Sequence, residues 1–126
     1  MPRSSESSFE ELLSAARTAT GDELRSLTYF TETDVEQLYL RSDLSRTADL
    51  VGFAENERHG FHAQSLYANT ELGDYCFTVR VFDNGYLTRV IADGHGVWVT
   101  TNSMKIDRFE ELASALAEIL RSFDPA

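Results

Sequence analysis

The sequence predicts an α+β fold: a five-stranded antiparallel sheet flanked by helices, in the order α-β-β-α-β-β-β-α. Three observations carry this. Apolar residues recur at helical spacing near both ends, at Phe9, Leu12, Leu13 and Ala16 and again from Phe109 to Phe123. Two bulky runs, 24–31 and 35–41, flank the polar turn Glu32-Thr33-Asp34. A meander of three strands follows residue 75, punctuated by Asp83-Asn84-Gly85 and Asp93-Gly94-His95-Gly96.

Residues 1–6 are polar and read as a disordered tail, leaving 7–126 as one domain. Ser7 with Glu10, or Ser8 with Glu11, has capping-box spacing for the first helix, and Gly21 is a natural stop. The strands 24–31 and 35–41 carry bulky residues on both faces, among them Leu27, Tyr29, Phe30, Leu38, Tyr39 and Leu40, as a sheet covered on two sides requires. Ser42 or Asp43 is expected to open the middle helix, with Leu44, Ala48, Leu50, Val51, Phe53 and Ala54 among its apolar positions. Gly52 weakens it, and Gly60 ends it, kinks it or is absorbed. The meander strands are expected at 75–82, 86–92 and 97–101, the last holding Trp98. Asp107 with Glu110 caps a final amphipathic helix built on Leu112, Ala113, Leu116 and Leu120.

The composition speaks about environment more than task. The 126 residues hold 21 acids, ten arginines and a single lysine, Lys105, for a net charge of −10. The acids are scattered, with no acidic tail. A negative coat keeps protein soluble where salt screens repulsion. This coat resembles that of cytosolic proteins from salt-loving archaea. With 42% hydrophobic residues there is enough for a real core. No basic stripe is present, which argues against nucleic acid as a ligand. No apolar run approaches the ~18 residues of a membrane span, and the polar start lacks a signal-peptide core. One cysteine, Cys76, excludes an internal disulfide, and a cytoplasmic location is expected.

The element order over about residues 9–123 resembles the roadblock family, and more loosely its longin and profilin-like relatives. The stretches 75–82 and 96–101 (YCFTVRVF and GVWVTT) also resemble small haloarchaeal families that bring no activity with them. The roadblock resemblance implies a middle helix on one face of the sheet and the terminal helices on the other. It further implies a non-catalytic dimeric adaptor or regulator, with a small GTPase as one class of partner. The dimer would pair through the middle helix, here 42–58, and the strand 75–82. The alternative is a small-ligand sensor of PAS or GAF type, which needs a closed apolar cavity.

Chemistry-bearing residues are few. His59 and His62, with Glu55, would share a face of an unbroken helix, but Gly60 interrupts it and no fourth ligand is evident, so no metal site is assigned. Cys76 in an apolar strand reads as a buried, inert thiol. No catalytic residue and no cofactor are assigned. Arg80 and Arg89 are the informative pair. With a two-residue loop at Asn84-Gly85 they would stand directly opposite, and a carboxylate, an anion or an acidic partner must bridge them. With a three-residue loop Arg80 would face Thr88. Arg80, Arg89, Phe82 and Tyr75 are therefore the candidate interaction residues, the aromatics because they anchor interfaces.

Overall fold

The structure, a computed structural model, describes residues 5–45, 53–67 and 70–123. Helix α1 spans Ser5–Thr20 and leads through a short 3-10 turn into β1, Leu24–Phe30. Strand β2 is Val35–Leu40 and helix α2 is Phe53–Ser65. Strands β3, Thr78–Phe82, β4, Gly85–Ala92, and β5, His95–Thr101, precede helix α3, Ile106–Arg121. The five strands form one antiparallel sheet in the order β2-β1-β5-β4-β3. The expected class and element order are therefore present.

The two faces differ in character. Helices α1 and α3 cover one face through Leu12, Ala16, Leu112, Leu116 and Leu120, which are fully buried against Leu24, Leu27, Val90, Val97 and Val99. Each of the leucines contributes roughly 1.5–3 kcal/mol by its burial. Helix α2 covers the other face, where Phe30, Leu87, Ile91 and Trp98 receive Phe53, Ala54 and Phe61. This two-sided arrangement is the one the resemblance implied.

Several local expectations are corrected. Helix α1 already includes Ser5 and Glu6, so Ser7 and Ser8 lie inside it and do not cap it. Lys105, not Asp107, precedes α3, and Asp107 sits in the first turn, where its charge favours the helix dipole. Ser42 and Asp43 are in a turn, and the remainder of the expected opening of the middle helix, 46–52, lies outside the described residues. Strand β1 is buried on both sides, but β2 at the sheet edge is only partly covered. The fifth strand starts at His95, because Asp93 and Gly94 alone make the turn. Both have positive φ, 53° and 83°, which gives the two-residue hairpin the twist that adjoining strands need.

At one end of the α1/α3 face, Tyr29, His95 and Phe123 meet. The Phe123 ring stacks on Tyr29 at 5.2 Å and lies 5.0 Å from His95, and Tyr29 Oη shares a 2.5 Å hydrogen bond with His95 Nδ1. Burial lowers the His95 imidazole below its ordinary 6.5, against the opposing pull of Asp93. Burial, aided by Asp34, raises the Tyr29 phenol. The folded imidazole thus resists a proton that the unfolded chain accepts below pH 6.5. Its contribution to stability is complete above that value and is lost as pH falls through the folded pKa. Thermal unfolding from about pH 8 to about pH 5 should therefore show the wild-type midpoint falling faster than that of His95→Phe. Parallel curves for the two proteins would contradict this reading of His95.

Candidate functional site

The exposed strand β3 and the helix above it bring the charged residues together. Phe82 pairs with Gly85, so the β3–β4 loop is Asp83-Asn84, and neither residue has positive φ. This register differs from both expected ones. Arg80 faces Leu87 and Arg89 faces Thr78, leaving the two arginines diagonal on one face. The reason lies on β5. A Cβ on Gly85 would collide with the Thr101 carbonyl oxygen, so this glycine is committed to close approach within the sheet and is not available for the turn.

Glu57 of α2 supplies the bridging carboxylate. Arg80 Nε donates to Glu57 Oε2 at 2.8 Å, and Arg89 Nη1 donates to Oε1 at 3.1 Å. The Glu57 and Arg89 side chains are only 3% and 7% exposed, whereas Arg80 is 45% exposed. Arg89 Nη2 also donates to Thr78 Oγ1 at 2.9 Å and to Tyr75 Oη at 3.1 Å. Two guanidinium groups and one carboxylate leave a formal charge of +1 under the helix. Gly60 makes room for it: a Cβ there would overlap the Arg89 guanidinium. The glycine is absorbed into α2 because the arginine takes the space a side chain would fill.

The other candidates fall around this triad. Tyr75 precedes β3, which starts three residues later than expected, and its ring stacks on Tyr67 at 5.9 Å. Phe82 is 50% exposed and stacks on Phe53 at 6.2 Å, and Val81 beside it is 73% exposed. Two open grooves of about 420 and 350 Å3 share Phe53 and Phe82 as walls. Cys76 is exposed outside the strand, a correction to the buried thiol expected there. His59 and His62 stand exposed on α2, while His95 lies on β5 with Tyr29. Among the described residues no three ligating side chains converge, and no helix is long and apolar enough to cross a membrane. The cavity that a sensor requires between sheet and helix is filled by Phe30 and Trp98, both fully buried.

Sequence reasoning counted Glu57 among the solvated acids and missed its role. Its one signal is the spacing to Gly60, which puts a carboxylate and a gap one turn apart on the same helix face.

A family model described as "Domain of unknown function (DUF7522)" matches residues 10–121. No protein with a curated description matches the sequence. Among solved structures, the chain is similar to Myxococcus xanthus MglB, a roadblock/longin-fold protein, with a TM-score of 0.59 and 11% identity over 100% of this chain and 98% of that one. The fold is thus roadblock-like, as the element order implied.

Glu57→Gln should destabilise the protein by roughly 3–5 kcal/mol, because it leaves the buried Arg89 without its counter-charge. Arg80→Ala should cost about 1 kcal/mol or less, since Arg80 is half in water. Gly60→Ala, which in an open helix gains about 1 kcal/mol, should instead destabilise, and the sign should revert in an Arg89→Ala background. Denaturant unfolding of the four Gly60 and Arg89 combinations measures this. Additive effects would show that the two residues do not share the space.

Proposed function

The chain belongs to the DUF7522 family, and from that premise we propose that it is a non-catalytic module that acts through protein contacts, self-associating through β3 and α2. The observation that carries this reading is the outer edge of β3. Among the described residues that strand has a partner on its β4 side only, and it presents Val81 and Phe82 to solvent beside an arginine locked by Glu57. An exposed apolar strand edge is a template for pairing, and proteins that stay monomeric blunt such edges with charge, proline or a cover. Here the apolar residues lie outward, and Arg80, the charge beside them, is drawn back toward α2 by its bond to Glu57.

The roadblock-like fold supports the reading further, because the family resemblance implies adaptors and regulators that dimerise. The partner class it implies is a small GTPase. The scattered acids and the single Lys105 support a halophilic, cytoplasmic setting, with protein partners in place of nucleic acid or membrane. In such a setting apolar pairing along β3 holds in salt that would weaken a charged contact.

Light scattering on the eluting protein in molar salt tests the self-association. The wild type should run at twice the chain mass at micromolar concentration, and Val81→Lys should run at the chain mass with unchanged circular dichroism. A wild-type monomer would overturn the reading. A pull-down in high salt should then recover a small GTPase with the wild type.

A further inference from the structure

Strand β3 is shorter than its neighbour. It pairs with Gly85–Arg89 of β4, and among the described residues Val90, Ile91 and Ala92 have a strand partner only on the β5 side. The two-residue turn at Asp93-Gly94 makes Ala92 and His95 a hydrogen-bonded pair. Alternation along the ladder then aims the N–H and C=O of Ile91 away from β5, into the space that β3 leaves open. The Ile91 carbonyl accepts the Gln64 side-chain amide at 3.3 Å, and Gln64 Oε1 is buried there with no partner.

This notch opens into a groove of about 710 Å3 between the 74–77 segment and α3. Phe77, Ile91, Ala92, Ala113 and Ala117 give it an apolar lining. Its charged members are Asp74, Asp93 and Glu110 against Arg121, a formal excess of two negative charges. A strand end with an N–H turned away from its one strand neighbour, a side-chain acceptor with no partner and small residues on the facing helix can take backbone and side chain together.

We propose that this notch docks an extended segment of another protein that carries alternating apolar and basic side chains. The extended form follows from the Ile91 N–H, which the ladder turns away from β5 at the end of the strand. Apolar side chains fit over Ala113 and Ala117, where a small residue on each turn leaves room. Basic side chains complement the rim of carboxylates. A second copy is the poorer occupant, because its remaining sheet edge, β2, carries Glu36 and follows Glu32 and Asp34, which the same rim repels.

Cys76 lines the groove, is exposed and is the only cysteine, so its modification rate reports occupancy. The probes are two peptides of about eight residues, one alternating Val and Lys, the other Val and Glu. The Val-Lys peptide should slow thiol labelling of Cys76 saturably, about tenfold at ten times its Kd, and should slow amide exchange at Ile91. The Val-Glu peptide should do neither. Ala117→Arg should abolish the protection. The double variant Asp93→Asn with Glu110→Gln keeps a residue that tolerates positive φ at position 93, and should weaken the protection about threefold. Val81→Lys should leave it intact, which separates this inference from self-association at β3. Absence of saturable protection, equal protection by both peptides, undiminished binding to that double variant in its folded state, or loss in Val81→Lys would each overturn the proposal.

Discussion

The Glu57 carboxylate between Arg80 and Arg89 is the contact on which the functional face depends. Two guanidinium groups on one side of a hairpin repel, and Arg89 is almost wholly removed from water. Only a carboxylate reaching from outside the sheet makes that arrangement tolerable, and Glu57 reaches from α2. The same bonds tie α2 to the sheet and tie β3, which among the described residues has only β4 beside it, to the helix above. Removing one partner costs far more than the pair contributes in net stability. The triad therefore specifies where α2 and β3 sit more than it strengthens the fold.

The larger apolar core lies on the opposite face. There α1 and α3 bury aliphatic side chains against the sheet. This division lets the α2 face carry a polar network and exposed rings without endangering the whole. It also explains why both proposed contact surfaces involve β3. The strand lies at the edge of the sheet, which exposes Val81 and Phe82, and it ends early, which leaves Val90, Ile91 and Ala92 without a strand partner on that side among the described residues. One short edge strand thus creates two separate surfaces of different chemistry, one apolar beside an arginine held by Glu57 and one apolar with an acidic rim.

Much of this was legible before the tertiary structure. Helical spacing located α1 and α3, because their apolar stripes must face a core. Asp93-Gly94-His95-Gly96 marked a turn, of which Asp93-Gly94 alone form the hairpin loop, and Arg80 opposite Arg89 in one of the two expected registers called for a negative bridge. The identity of that counter-charge was not legible. Glu57 sits among other acids in a sequence with 21 of them, and its spacing to Gly60 is the one local feature that distinguishes this buried carboxylate from a solvated one. Cys76 was misplaced for a related reason: an apolar run suggested a strand, but pairing with β4 begins only at Thr78.

The sequence by itself determined the elements and their order and singled out Arg80 and Arg89 as like charges close on one hairpin, since periodicity and like-charge repulsion are local properties of the chain. The tertiary structure alone decided the hairpin register, the partner of the arginines and the open end of β4. Each of these rests on atoms far apart in sequence meeting in space: Gly85 against the Thr101 carbonyl, Gly60 over the Arg89 guanidinium, and Gln64 on the Ile91 carbonyl. Such contacts leave no periodic trace, because each is made once and its geometry is fixed only when the helices and the sheet have closed on each other.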